Sequence, residues 1–281
     1  MSGSARNPPP GRRAILAGAF AAGALMGQAP PPPRSSGPAR GALLLMGGGA
    51  MSRRVPPAAA TLAGGPAARW VYIPTALRDE EIALARPPSF THSPGVAVRV
   101  LHTRERGEAD RDAFIAPLLT ATAVFIEGGR EWRLADAYLG TRTEQALHDL
   151  LARGGLIAGT SAGASIMGSF LVRASPMGNG LMVSPGHERG FGFITHCAID
   201  QHVVRRHREG DLAEVVAAHP DILGIGLDEG AAAVVRAGLL TALDARMILI
   251  TDGAAHGGRG YYPLPPGAHF NLETWRAIGN I

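Results

Sequence analysis

The sequence predicts an α/β protein with a mostly parallel sheet and helices on both faces, on three observations. Apolar strand-like runs alternate with helical stretches from Gly41 onward. Apart from Arg99, the runs carry no charge, as expected of strands covered on both faces. Five of the segments that follow them are glycine-rich or polar, at the strand ends where open α/β sheets bind ligands.

The elements follow in order. Ala42–Met46 is a strand that ends in Gly47-Gly48-Gly49. Trp70–Ile73 and Val96–Leu101 are short β-branched runs. Arg111–Leu119 is amphipathic enough for a helix, and Ala123–Ile126 is a buried strand before Gly128-Gly129. A helix opens at Thr143, its expected N-cap, and runs to Arg153, where Gly154-Gly155 stop it. Gly155–Ala158 is the next strand. Ile194–Ile199 reads as strand, Val203–Ala218 as helix and Ile222–Leu227 as strand. Ala231–Val235 and Met247–Ile250 complete the sheet, and 41–281 reads as a single domain.

Residues 1–40 read differently. Arg12-Arg13 precede an apolar run, Ala14 to Gly27, and Gly27-Gln28-Ala29 offers a small-x-Ala cleavage site. The run is shorter than the roughly 20 residues that span a bilayer, so no stable membrane insertion is expected. The paired arginines suggest export by the twin-arginine route, to the periplasm or the extracellular space. Pro30–Pro33 and Arg34–Pro38 read as a semi-rigid linker.

Charge and composition exclude several functions. The 281 residues carry a formal net charge of +4, but 1–40 holds five arginines and no acid. Removing those five from the 27 basic residues leaves 22 against 23 acids, a net of −1, so a nucleic-acid partner is not expected. Every basic residue is arginine. The absence of lysine rules out a Ser–Lys dyad, a Schiff-base lysine and a Walker-A lysine. Cys197 is the single cysteine and reads as a buried structural thiol, because its neighbour His196 points to the opposite face of a strand. His196, His202 and His207 have neither H-E-x-x-H nor i,i+4 spacing, so no metal site is expected.

Gly159-Thr160-Ser161-Ala162-Gly163 spells G-x-S-x-G between an apolar strand and a helix-compatible stretch. This is the form of a nucleophile elbow, in which tiny flanking residues allow a strained turn that exposes a serine hydroxyl. A neutral serine needs a base, and the base needs an orienting acid. His202 ends a strand at Asp200-Gln201-His202, and Asp228-Glu229 ends the next, so Ser161, His202 and Glu229 form the candidate triad. An α/β-hydrolase esterase would instead need Ser161, then Asp228 or Asp252, then His256 or His269. It ranks second, because His256 lies in a glycine-rich loop away from any strand end.

These blocks carry a family resemblance. Gly159–Ala164, Asp200-Gln201-His202-x3-Arg206-x-Arg208-x-Gly210-x-Leu212 and Gly224–Glu229 resemble cyanophycinase and its relatives in serine peptidase family S51. Gly47–Gly49 and Phe125-x2-Gly128-Gly129 extend the resemblance over most of 41–235. It implies a flavodoxin-like, class I glutamine-amidotransferase-like fold, with serine in place of the usual cysteine. It also implies Ser161 as nucleophile, His202 as general base and Glu229 as its orienting acid, with no cofactor. Backbone N–H groups of Ala162 and of Gly128-Gly129 are the implied oxyanion donors.

The implied substrate is an aspartyl or β-aspartyl peptide, and a homodimer is the family's habit. Asp200 and Gln201 become candidates for binding a substrate guanidinium or for bracing the site, and Arg206 and Arg208 for substrate carboxylates. Two positions depart from the family pattern. Arg130-Glu131 stand where relatives carry Asp-Gln or Asn-Gln, so Glu131 would bring negative charge towards the oxyanion. Asp211 stands where a further arginine is expected. These departures support the alternative of a catalytically silent member that binds a peptide or amino-acid ligand.

Overall fold

The computed structural model describes residues 35–92, 97–243 and 247–278. The proposed leader and most of its linker, residues 1–34, lie outside the described residues, as does Val96. From Ser35 the chain is packed: Ser35 Oγ donates to His196 O (2.8 Å) and accepts from Trp275 Nε1 (3.1 Å).

In chain order, β1 (Ala42–Met46) leads through the glycine turn to α1 (Val55–Ala63), which carries proline in its first turn, where a missing N–H costs nothing. β2 (Trp70–Ile73), α2 (Asp79–Ile82) and β3 (Arg99–Val100) follow. α3 (Arg106–Ala109) and α4 (Asp112–Thr120) precede β4 (Ala123–Ile126). α5 (Glu131–Tyr138) and α6 (Arg142–Ala152) precede β5 (Leu156–Thr160), which turns at Ser161 into α7 (Ala162–Ser165). Next come β6 (Gly168–Phe170), β7 (Ile194–Gln201), α8 (Asp211–Ala218) and β8 (Leu223–Leu227). The remaining strands are β9 (Ala232–Arg236), β10 (Leu239–Ala242), β11 (Ile248–Thr251), β12 (Tyr262–Leu264), β13 (His269–Asn271) and β14 (Arg276–Ile278).

The central sheet has the order β14-β13-β10-β9-β1-β5-β4-β2-β3. Its β1-β5-β4-β2-β3 half is parallel, as expected, and β9, β10, β13 and β14 add an antiparallel wing. Strand alternation builds a core on each face. Leu43, Leu45, Val71, Ile73, Val124 and Ile126 join one core, to which α4, α5 and α6 contribute Leu118, Leu134 and Leu147. Ala42, Leu44, Met46, Tyr72 and Phe125 join the other, which α1 covers through Val55, Ala59 and Ala63. Full burial of each such Leu, Val or Phe stabilises the fold by roughly 1.5–3 kcal/mol.

Four expectations need correction. The late strands do not complete one sheet, because β6, β7, β8, β11 and β12 form a second, in the order β12-β11-β8-β7-β6. One face of that sheet joins the first core through Ile199, Leu223, Ile225 and Ile250. On the other, α8 supplies Leu212 and Val215 over Ala198. The expected Val203–Ala218 helix is only α8. Before it, Asp228 Oδ1 accepts the Val204 and Arg205 N–H groups (3.1 and 2.9 Å), and His202 and His207 take positive φ (58° and 54°). A side-chain acceptor thus competes for donors that a helix would use. Thr143 does not cap α6: Thr141 does, accepting Thr143 N–H at 3.2 Å. The Val96–Leu101 run shortens to β3 among the described residues.

Two sheets change how the strand ends meet. β1, β4 and β5 bring Gly47–Gly49, Gly128-Gly129 and Ser161 from the central sheet. The parallel pair β7 and β8, with Gln201 opposite Leu227, brings His202 and Glu229 from the second. The glycine turn after β1 is the joint. Gly47 N–H donates to Ala231 O (3.0 Å), and Gly230 N–H donates to Gly48 O (2.8 Å).

Candidate active site

Ser161 sits between β5 and α7 with φ 50° and ψ −119°, a conformation that costs a non-glycine residue of the order of 1–3 kcal/mol. Its surroundings leave no alternative to small residues. A Cβ on Gly159 would lie 2.2 Å from Gly163 O, and one on Gly163 would lie 2.2 Å from Ile126 O. Ser161 N–H donates to Met46 O (2.9 Å), which ties the turn to β1.

The strained turn aims the hydroxyl at a histidine. Ser161 Oγ and His202 Nε2 are 2.9 Å apart, and His202 Nδ1 is 2.8 Å from Glu229 Oε1. The carboxylate on Nδ1 fixes the proton there and leaves Nε2 as acceptor for the hydroxyl. Burial lowers the His202 pKa below its ordinary value, and Arg206 and Arg208 push the same way against Glu229. The imidazole is therefore neutral near pH 7, as a base must be. The glycine turn closes one side of this chain. A Cβ on Gly48 would lie 2.4 Å from His202 Cε1, and one on Gly49 would lie 2.8 Å from Glu229 Oε2.

The alternative triads do not assemble. Asp228 is occupied by the turn after His202. Asp252 pairs with His256 (2.8 Å), and His269 bonds Thr241 (2.9 Å). None of these bonds reaches Ser161. Cys197 is fully buried, which pushes its thiol well above the ordinary pKa.

The oxyanion candidates divide. A Cβ on Gly128 would lie 3.2 Å from Ser161 Cβ, so this loop lies against Ser161. Gly128 N–H, however, is held by the Glu127 carboxylate at 2.9 Å. Gly129 and Ala162 N–H form no hydrogen bond among the described residues, which leaves both open to a ligand oxygen. Glu127, which also accepts from Tyr72 Oη at 3.0 Å, lines a cavity of about 170 Å3 beside Gly48, Gly49 and Thr160. Sequence reasoning passed over it, and only its place between a strand and the paired glycines could have drawn attention.

The expected substrate-binding residues part in the same way. Asp200 does not face a ligand: it is fully buried, and Arg173 Nε donates to both its oxygens at 3.0 Å. Burial pushes the Asp200 pKa up, against the pull of Arg173. Arg173 also bonds Asp211, so the unexpected acid completes an internal ion triplet. Gln201 is buried too, and its Nε2 donates to Glu131 Oε1 at 2.7 Å. Glu131 is buried, and desolvation raises its pKa to about 7. Arg206 is exposed and Arg208 half-buried, and both lie close enough to influence His202. Arg173, the centre of the triplet, was missed, because nothing local marks an arginine whose partners lie 27 and 38 residues away.

The model of Peptidase family S51 matches residues 43–242. Curated relatives are the cyanophycinases of Trichormus variabilis and of a Nostoc species, each 35% identical over 196 residues, which is 68% of this chain and 65% of theirs. The cyanophycinase of Geminocystis herdmanii is 31% identical over 61% of this chain and 64% of its own. The chain thus spans slightly less than two thirds of the length of these relatives. Among solved structures, a peptidase from an acI-B1 actinobacterium matches with a TM-score of 0.63 at 21% identity, covering 84% of this chain and 98% of that one. That likeness bears on the fold.

Proposed function

The chain belongs to peptidase family S51, and from that premise we propose that it is a serine peptidase that cleaves aspartyl or β-aspartyl peptide bonds. The unbroken chain Ser161 Oγ–His202 Nε2–Nδ1–Glu229 Oε1, at 2.9 and 2.8 Å, carries this reading. Ser161 Oγ attacks the scissile carbonyl as its proton passes to His202 Nε2, and Glu229 stabilises the imidazolium through Nδ1–H. The tetrahedral oxygen is met by the free N–H groups of Gly129 and Ala162. His202 then returns the proton to the departing amine. Water, with His202 again as base, releases the acyl group.

Charge recognition follows from what is not already paired. Glu127, in its cavity beside Thr160 and the glycine turn, takes the role once expected of Asp200, that of binding a cationic group of the substrate. Arg206 remains free for a substrate carboxylate. The departures that favoured a silent protein lose their force: Asp211 is neutralised by Arg173, and Glu131 lies against Gln201 with its charge held down. A protonated Glu131 is nearly isosteric with the glutamine of relatives. The leader in 1–40 is taken to direct this activity outside the cytoplasm.

Purified protein offered cyanophycin and β-aspartyl-arginine should turn them over, and Ser161→Ala should lower kcat by roughly 10⁴-fold or more. Persistent turnover in Ser161→Ala would sink the mechanism. Because the His202 pKa is lowered, kcat/KM should be flat above pH 7 and fall as His202 gains a proton below pH 6.5. A profile flat down to pH 5 would remove His202 as base.

A further inference from the structure

A second charged cavity adjoins the Gly128-Gly129 loop, on the far side of it in sequence from Glu127. It has a volume of about 360 Å3, borders Gly129, and is lined by Arg78, Arg130, Arg133, Glu81 and Trp132. Its charges do not cancel locally. Arg78 is engaged by Glu81 (2.8 Å) and Glu80 (3.3 Å), and the nearby Asp79 is taken by Arg104 (2.7 Å). Arg130 and Arg133 reach only carbonyl oxygens. Arg130 Nη2 donates to Ser175 O at 2.6 Å, and Arg133 Nη1 donates to Ala76 O at 3.0 Å. Among the described residues neither forms an ion pair.

Both guanidinium groups are held in place before any ligand arrives. Arg130 Nη2 is fixed by the Ser175 carbonyl, and the Ala76 carbonyl that anchors Arg133 Nη1 also accepts the main-chain N–H of Arg130 (2.9 Å). The Arg133 guanidinium also lies 5.2 Å from the centre of the Trp132 ring, within cation–π range. A guanidinium has five donors in a planar fork, so each retains donors suited to a carboxylate. The same loop meets the nucleophile: Gly128 packs on Ser161, and Gly129 carries the free N–H and borders the cavity. A carboxylate bound here would lie one residue along the loop from the glycine that packs on Ser161.

We propose that this cavity is the carboxylate subsite of the peptidase, with Arg130 and Arg133 binding a carboxylate close to the scissile bond. The proposal rests on the hydrolase reading above. It adds a site for negative charge in the loop after β4 to the one expected at Arg206 in the turn after His202. Two carboxylates of a β-aspartyl peptide fit the chemistry, the aspartyl α-carboxylate and the free C-terminal one.

The test uses Ser161→Ala as a non-hydrolysing host. Calorimetric titrations compare β-aspartyl-arginine, its aspartyl α-amide and its C-terminal amide, each with and without Arg133→Gln. Arg133→Gln should weaken the free-acid peptide at least about tenfold, the scale of a lost charge-assisted pair. One of the two amides should bind as weakly and be indifferent to Arg133→Gln, and that amide identifies the carboxylate. An unchanged affinity, an equal loss for all three peptides, or no binding to the Ser161→Ala host overturns the subsite. Peptide bound with this Arg133 dependence but never hydrolysed by the wild type would instead overturn the catalytic reading alone.

Discussion

Asp200, Gln201 and His202 are consecutive at the end of β7, yet they serve two different polar assemblies. His202 joins Ser161 and Glu229 in a hydrogen-bonded chain that ends at the Ser161 hydroxyl, next in sequence to Ala162, whose N–H has no partner among the described residues. Asp200 and Gln201 join Arg173 and Glu131, all buried, in an assembly that reaches the surface only at Asp211. The residue types barely differ. What differs is where the chain turns. Asp200 and Gln201 end a strand with every residue from Cys197 onward buried, while His202 leaves it at φ 58° and swings its ring towards the other sheet. The outer assembly keeps unsatisfied capacity for a substrate, and the inner one spends its capacity on holding the strand end still.

The contrast breaks most easily at its outer member. His202→Ala should lower kcat by roughly 10⁴-fold or more, since it removes the base from a unit whose members act together. It should cost no more than about 2 kcal/mol of stability. Rates and urea midpoints measured on one preparation would check both. The inner assembly should behave the other way. Arg173→Met strands Asp200 and should cost about 3–5 kcal/mol of stability, while the folded fraction keeps most of its turnover. If Arg173→Met abolished turnover without lowering the urea midpoint, Asp200 and its partners would belong to the chemistry and the division drawn here would fail.

Much of the outer assembly was legible in the sequence, for physical reasons. β1, β2 and β4 have the expected bounds, because a strand buried on both faces must be apolar throughout. The elbow was legible because only tiny residues fit around Ser161, and the two polar strand ends because ligand sites gather there. The inner assembly was not. Whether Asp200 faces a substrate or an arginine depends on Arg173, which arrives from a loop 27 residues earlier. The second sheet was hidden for a similar reason: strand runs reveal burial but not pairing partners. The false helix after His202 came from reading Val203–Arg208 without knowing that Asp228 would hold its N–H groups.

The smallest expected effect lies where the two assemblies touch. Glu131 accepts from Gln201 Nε2, while Gln201 Oε1 is buried with no partner among the described residues. A proton on Glu131 would supply that oxygen with a donor, in keeping with a pKa raised to about 7 by burial. The folded protein then binds a proton that the unfolded chain has already lost between about pH 4.5 and 7. The associated stability is present in full at the acid end of that window and is lost as pH rises through it, by roughly 3 kcal/mol. Glu131→Gln keeps the shape and a donor but cannot ionise, so it should match the wild type near pH 5 and exceed it in stability at pH 8. Urea unfolding at the two pH values measures that difference directly. A gap independent of pH would mean that Glu131 ionises in the fold as readily as in the open chain, and that its negative charge does stand beside the catalytic loop.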